Sequence, residues 1–530
     1  MWRNDRLFSS DLPHEDDAVE QTDIVDLLVV GGGINGAGIA RDAAGRGLTV
    51  LLCEQDDLAA HTSSSSTKLI HGGLRYLEHY EFSLVRKALQ EREVLLKAAP
   101  HIISPLRFVM PHMPHLRPAW MIRAGLFLYD HLSKREVLPG SRGITFSSHP
   151  SGIPLKKFLK KGFVYSDASV QDARLVVLNA MDARERGATI LTKTRLIEAT
   201  QGAQYWDASL LCTLTGKTTH VKARCVINAA GPWVASLLHG ALQTSAQHQI
   251  RLVKGSHIVT KRLFDHDHAY IFQNPDNRIV FAIPYEKDFT LIGTTDVEYQ
   301  GDPASVTISN EEIAYLCESV SRYFEATVTP AQVVWTYAGV RPLLEEEVDN
   351  PAAVTRDYKL ELHTGQNQAP VLSVFGGKIT TYRRLAEEAC DQLQSLFSYM
   401  KPSWTAHAPL PGGDIERADI TEFLRVFQQR HPWLPAALAQ RYAHAYGTRA
   451  ERMLAGIKDI AGLGELFGAD LYAAEVHYLV QQEWAITVDD ILWRRSKLGL
   501  HLLANGDTEA VARLAAWLAE QKIAVEPAVA

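Results

Sequence analysis

The pattern of apolar and polar positions changes character along the chain. Residues 25–30 form a short apolar run with β-branched side chains, which predicts a buried strand. Residues 34–44 have helical spacing stopped by Arg46-Gly47, and 48–53 are a second apolar run that ends on an acid, Glu54. Strand, helix and strand in that order make a βαβ unit. Helical spacing returns at 74–98, at 172–185 and from 380 to about 396, and strand-like runs lie at 188–192, 221–228 and 371–375. Between 251 and 297 short alternating runs take over, at 256–260, 278–284 and 290–294, as expected of an antiparallel sheet with one buried face. Residues 333–340 are expected back beside the first unit. Pro409-Leu-Pro-Gly-Gly413 reads as a linker, and beyond it the periodicity is helical, with Trp433, Trp484, Trp493 and Trp517 expected in a core.

These patterns predict an α/β protein: a Rossmann-like dinucleotide-binding domain, an inserted antiparallel-sheet substrate domain and an all-helical C-terminal domain. The expected boundaries are 21–100, 160–250 and 333–400 for the first, 101–159 and 251–332 for the second, and 414–530 for the third. A chain of 530 residues is too long for one core, which agrees with this division. Residues 1–20 are polar and lack an apolar run, so they predict a disordered lead-in and not a secretory signal. No apolar run is long enough to span a bilayer. A net charge of -7 argues against nucleic acid as a partner. Five scattered cysteines without a C-x-x-C point to a reducing compartment, a cytoplasmic setting and no metal site.

The first unit carries candidate chemistry. Gly31, Gly33 and Gly36 give G-x-G-x-x-G at a strand–helix corner, and Glu54 closes the next strand. Gly33 lacks a Cβ that would keep a pyrophosphate from the backbone, and Gly36 lets helix and strand pack closely. Ile34 and Asn35 stand at the helix start, where unpaired N–H groups attract phosphate. Glu54 is placed to accept both ribose hydroxyls. An ordinary βα turn is the bland alternative, but strand, helix, strand and acid together favour a dinucleotide. The hydroxyl run at 62–67, with Thr62, Ser63 and Ser64 and then Lys68, follows directly and can complete the pyrophosphate shell; otherwise it is a flexible linker.

Several motifs now become specific: Gly31-Gly-Gly-Ile-Asn-Gly-Ala-Gly, Thr62-Ser63-Ser64, and Lys68-Leu-Ile-His-Gly-Gly-Leu-Arg-Tyr-Leu-Glu78. They continue in order through Asn228-Ala-Ala-Gly-Pro-Trp233, Lys254-Gly-Ser-His257, Ile292-Gly-Thr-Thr-Asp296, Gly339-Val-Arg341-Pro and Phe375-Gly-Gly-Lys378-Ile-Thr-Thr-Tyr-Arg383. Nearly end to end the chain resembles the FAD-dependent glycerol-3-phosphate dehydrogenases, the aerobic, respiratory, quinone-linked enzymes. The resemblance implies FAD as cofactor. It adds Lys68, Leu69, His71, Gly72, Gly73, Ala230, Gly231, Trp233, Gly377, Lys378 and Thr380 to the cofactor-binding set. It also implies a helix opening at Gly376-Gly377-Lys378 whose N–H groups face the flavin. Asp489-Asp490-Ile-Leu-Trp-Arg-Arg495 belongs to the resemblance without an assigned role.

Oxidising a secondary alcohol needs a base, a hydride acceptor and a grip on the rest of the substrate. A flavin would supply the acceptor. Arg75, Arg341 and Lys378, each beside a glycine-rich break, are the candidate phosphate ligands, with Tyr76 adding a hydroxyl. His71 is the first candidate base and His257 the alternative, with Arg341 orienting the substrate. The expected reaction converts sn-glycerol 3-phosphate to dihydroxyacetone phosphate and passes electrons to membrane quinone. Rivals are an oxidase reducing O2 to peroxide, a flavin amine oxidase of the glycine-oxidase type, and an NAD-binding regulatory protein without turnover. Apolar residues from Trp120 to Tyr129, flanked by Arg117, Arg123, Lys134 and Arg135, and Leu155-Lys-Lys-Phe-Leu-Lys-Lys161 are candidates for seating the protein on an anionic membrane surface. That would place it at the inner face of the cell membrane; a buried helix and a solvated lysine face are the alternative. Oligomeric state, a homodimer included, stays open.

Overall fold

The computed structural model describes residues 24–113, 117–244, 250–344 and 357–521, and the lead-in expected over 1–20 lies outside them. Strand β1 (Ile24–Val30) is buried on both sides because its neighbours are parallel strands: Thr218–Asn228 on one side and β2 (Val50–Cys53) on the other. The main path of the sheet runs Lys359–His363, Val371–Phe375, Thr218–Asn228, β1, β2, Thr189–Leu191, and Trp206–Cys212 with Thr194–Gln201 branches from Thr218–Asn228. Alternate side chains of β1 serve two layers. Leu27 and Val29 join a core with helix α1 (Ile34–Gly45) and helices Asp172–Glu185 and Tyr382–Gln392. Leu28 and Val30 join the hairpin of Thr194–Gln201 and Trp206–Cys212. Helix α1 presents small residues to its neighbours: a Cβ on Gly38 would lie 2.8 Å from the Tyr382 ring.

The second sheet is largely antiparallel and built around the long strand Ile250–Lys261. Three of its strands were expected in the nucleotide domain, the shortest being Leu69–Ile70, which pairs with Lys161–Val170. Val333–Leu344 instead pairs with Ile250–Lys261 along almost its whole length, with Tyr337 opposite His257. Lys161–Val170 likewise pairs with Ile103–Pro111. Chain order suggested the first sheet, but a strand joins whichever edge satisfies its backbone and buries its apolar face, and here that edge belongs to the second sheet.

The helix expected over 74–98 is split. A 3₁₀ segment, Leu74–His79, ends at Tyr80, whose φ of 62° is left-handed, and the α-helix proper is Phe82–Ala98. The helix expected to open at Gly376-Gly377-Lys378 begins later, at Tyr382.

The C-terminal region is helical apart from a short hairpin, Leu466–Gly468 with Leu471–Tyr472. Trp433, Trp493 and Trp517 pack on its core, while Trp484 packs on the nucleotide domain. Pro409–Gly413 is not a loose linker. Leu410, Pro411, Gly412 and Gly413 are buried, and a Cβ on Gly413 would lie 2.2 Å from the Ala98 carbonyl. Ion pairs lock this seam. Fully buried Arg495 grips both oxygens of buried Asp57 at 2.6 and 2.7 Å, Arg494 adds a bond to Asp57 at 2.5 Å, and Arg174 pairs with Glu483 at 2.7 and 2.9 Å. Such pairs add little net stability when intact, but removing one partner strands a buried charge at a cost of about 3–5 kcal/mol.

Candidate active site

A cavity of about 770 Å³ opens where the two sheets meet, within the size range of small-molecule sites. Its nucleotide side is made of backbone. Gly31 has φ +115°, and a Cβ there would lie 2.5 Å from the Ala229 carbonyl; one on Gly36 would lie 1.9 Å from that of Gly31. Both glycines close the corner. A Cβ on Gly33 would meet only the Ser63 hydroxyl, so that face stays open to a ligand. Helix α1 starts at Gly33 without a side-chain cap, and the Ile34 N–H donates to Ser63 Oγ at 3.0 Å. A helix start at the mouth of a cavity suits an anion such as phosphate.

Glu54 is buried at the end of β2 and accepts from the N–H groups of Gly32 (2.6 Å) and Asp56 (2.9 Å). Burial pushes its carboxyl up, and these two donors oppose the shift. Its oxygens keep acceptor capacity for a ribose. The rings of His61 and Trp233 meet edge-on at 4.8 Å beside Leu196, Ile197 and Leu237, an apolar wall suited to adenine. Asn35 donates to the Gly376 carbonyl at 3.1 Å, while its Oδ1 is buried without a partner among the described residues. An open glycine face, an uncapped helix start and an orphaned acceptor together fit a bound dinucleotide. Gly376 to Thr380, a turn and not the first turn of a helix, also lines this wall.

The other end is made of side chains from the second sheet. His257 is 2 % exposed, stacks on Tyr337 at 4.7 Å, and its Nε2 lies 3.0 Å from Thr67 Oγ1. Burial first, then the charges of Lys68 and Arg341, hold its pKa well below the ordinary imidazole value, so the ring is neutral. A Cβ on Gly293 would lie 2.1 Å from this ring, so the glycine makes room for it. Arg341, half-buried, is held by Asp296 and by the Thr295 carbonyl at 3.3 Å. The Lys378 ammonium lies 3.9 Å from the centre of the Tyr76 ring. His71 also lines the cavity, and its N–H donates to Thr380 Oγ1 at 3.2 Å.

Most expected site residues line this one cavity: Gly31, Gly33, Ile34, Asn35, Glu54, Thr62, Ser63, Leu69, His71, Tyr76, Ala230, Gly231, Trp233, His257, Arg341, Gly377, Lys378 and Thr380. Others stand off it. Gly36 packs behind the turn, and Ser64 Oγ bonds the His61 carbonyl at 3.2 Å. Gly72 is buried and donates to Tyr129 at 2.8 Å, and Gly73 lies beneath the Tyr76 ring. Arg75 sits half-buried on the Leu74–His79 segment, outside the cavity wall. Lys68 turns inward, where its ammonium binds both oxygens of Asp172 at 2.8 and 3.0 Å. Tyr337 and Asp296 drew no role from the sequence, and Thr67 drew one only as part of the hydroxyl run at 62–67. Asp296 stands in a quoted motif, whereas Tyr337 carries no local signal at all.

Residues 26–383 match the family of FAD dependent oxidoreductases, and 403–523 match the C-terminal domain of alpha-glycerophosphate oxidase. The chain is 57 % identical over 480 residues, 91 % of itself and 93 % of the relative, to the glycerol-3-phosphate dehydrogenase of Pseudomonas aeruginosa. The chain belongs to the FAD-dependent glycerol-3-phosphate dehydrogenase family. It is also 52 % identical over 478 residues, 90 % of itself and 95 % of the relative, to the D-erythritol 1-phosphate dehydrogenase of Brucella abortus. Among solved structures, that of the glycerol-3-phosphate dehydrogenase from Bacillus halodurans complexed with FAD matches with a TM-score of 0.75, at 27 % identity and 96 % of each chain. As in that family, FAD is the cofactor the nucleotide half of the cavity is built for.

Proposed function

We propose that this dehydrogenase oxidises sn-glycerol 3-phosphate to dihydroxyacetone phosphate and delivers the electrons to a membrane quinone. The observation that carries the reading is one cavity in which a dinucleotide cradle meets His257, Arg341 and Lys378. The names of the similar proteins support a polyol phosphate as substrate. FAD, when bound, supplies the hydride acceptor.

The chain's own residues do the rest. Arg341 and Lys378 provide the positive charge that a phosphomonoester needs, and Asp296 fixes the direction of the Arg341 fork. A neutral imidazole takes the hydroxyl proton. His257 meets that requirement through its burial and flanking cations; His71, at the same end, is the other candidate.

A quinone acceptor resides in the bilayer, and the outer face of the fold suits contact with one. Helix Ala119–His131 turns Trp120 (70 % exposed), Phe127 and Leu128 to solvent, and Arg117 at its start pairs with Glu78, near exposed Tyr80. In the second basic piece Leu155 and Leu159 are buried while Phe158 and Lys157 are exposed. No helix among the described residues is long and apolar enough to cross a membrane, so contact would be at the surface.

A substrate one carbon longer is the second reading, because a D-erythritol 1-phosphate dehydrogenase is 52 % identical. Turnover of the holoenzyme with both substrates, with a quinone analogue or O2 as acceptor, separates the readings. The expected result is a preference for glycerol 3-phosphate of about tenfold or more in kcat/KM, with quinone reduced and little peroxide. Preference for the longer polyol would move the substrate, and stoichiometric peroxide would make the protein an oxidase.

A further inference from the structure

A second, smaller cavity of about 170 Å³ lies at the junction of all three domains. Arg174 comes to it from a helix of the nucleotide domain, Lys68, Tyr285 and Glu286 from the second sheet, and Lys497 from the C-terminal domain. A hydrogen-bonded chain ties it to the main cavity. Ser66 lines the main cavity and donates its hydroxyl to Asp172 at 2.8 Å. Asp172, 0 % exposed, accepts at its two oxygens from the Lys68 ammonium, which lines the second cavity. Thr67, between these two links, is the residue that touches His257.

We propose that this second cavity is a proton-exit chamber for alcohol oxidation, wired to the active site through Ser66, Asp172 and Lys68. The inference rests on alcohol oxidation in the main cavity and not on which imidazole takes the proton.

The need comes from the chemistry. Each oxidation leaves the alcohol's hydroxyl proton on a base in the main cavity, and the proton must reach bulk water before the next turnover. Along the chain one proton enters at Ser66 Oγ as the hydroxyl's own proton passes to the Asp172 carboxylate. Asp172 passes it to Lys68 as the ammonium releases one into the chamber. One proton enters, one leaves, and every group recovers its charge.

The chamber is fitted to receive it. The Tyr285 hydroxyl is buried with no partner among the described residues, which implies water in a cavity with room for several molecules at about 30 Å³ each. Lys497 donates to the Trp493 carbonyl at 2.5 Å and faces Lys68, Asp172, Glu286 and Arg494. Burial first, then Lys68, brings its ammonium down to about 7. Glu286 faces Lys497, Lys68, Arg441 and Lys287, and its carboxylate has no hydrogen bond or ion pair among the described residues. Burial pushes its carboxyl up, against the pull of those cations. One group has moved down and the other up, both toward neutrality, where proton exchange is fastest. An ion-pair network serving only to hold domains together gives no reason for a half-buried carboxylate left unpaired.

The test uses full-length holoenzyme mixed anaerobically with glycerol 3-phosphate in weak buffer containing a pH indicator. Flavin bleaching and the appearance of protons in bulk are followed together. In the wild type the two should coincide. In Glu286→Gln and Lys497→Arg, bleaching in the first turnover should hold its rate while proton appearance slows by about tenfold, the equivalent of one pKa unit of driving force. Lys497→Arg keeps the charge, so folding is preserved, but a guanidinium does not release its proton near neutral pH. Proton appearance that still coincides with bleaching in both variants would overturn the proposal. Absence of bleaching in the wild type would instead refute the functional reading beneath it.

Discussion

The dinucleotide corner and the three-domain junction are both buried and both polar, yet they are built in opposite ways. At the corner the working groups are mostly backbone: Gly31, Gly33, Gly36 and the start of α1, with the Glu54 carboxyl bonded to the Gly32 N–H. At the junction they are side chains brought together across the chain, and Asp57 and Arg495 stand 438 residues apart. A backbone site fails when a side chain is added. A side-chain site fails when one is taken away.

That contrast orders the predictions. The largest effect should come from Gly36→Ala. Its Cβ would lie 1.9 Å from the Gly31 carbonyl, so α1 must leave the strand. The purified variant should carry no flavin by absorbance, and normal flavin content would mean the corner is looser than described.

Next is Arg495→Met, which leaves Asp57 buried with only Arg494 to meet it. Denaturant unfolding should show a loss of about 3–5 kcal/mol. Adding Asp57→Asn should restore part of it, because the stranded charge is then gone. Asp57 also lies in the loop that runs from Glu54 to His61 along the cavity, so the single variant should release FAD faster on dilution. Equal retention would separate the junction from the cofactor site.

Arg341→Ala is third. Loss of one charge-assisted phosphate contact, about 1.5–3 kcal/mol, should raise KM for glycerol 3-phosphate by about 10–150-fold and leave flavin content unchanged. An unchanged KM would remove Arg341 from the substrate grip.

The same contrast explains what could be read in the sequence. The strand–helix–strand corner, its glycines and Glu54 lie within some thirty positions, and local spacing carries that information. His257 and Arg341 were legible because each stands in a short motif. The rest depends on partners far along the chain. Residues 333–344 are apolar enough for either sheet, and only their pairing with Ile250–Lys261 decides between them. Lys68 follows a hydroxyl run that suits a phosphate, and nothing nearby announces that its partner is Asp172. Pro409-Leu-Pro-Gly-Gly413 has the composition of a linker, but its glycines serve close contact with Ala98 and Tyr446. The arginines Arg494 and Arg495 had no reading until Asp57 was placed beside them.

The central claim is that a flavin in the backbone-built corner faces a cationic, imidazole-bearing pocket that selects a phosphorylated alcohol. Anaerobic titration of the bound flavin tests it most directly. Glycerol 3-phosphate should bleach the holoenzyme stoichiometrically, with dihydroxyacetone phosphate as the product, while glycerol and glycine leave the colour intact. A folded protein that binds no FAD, or a flavin that glycerol bleaches as readily as its phosphate ester, would contradict the account.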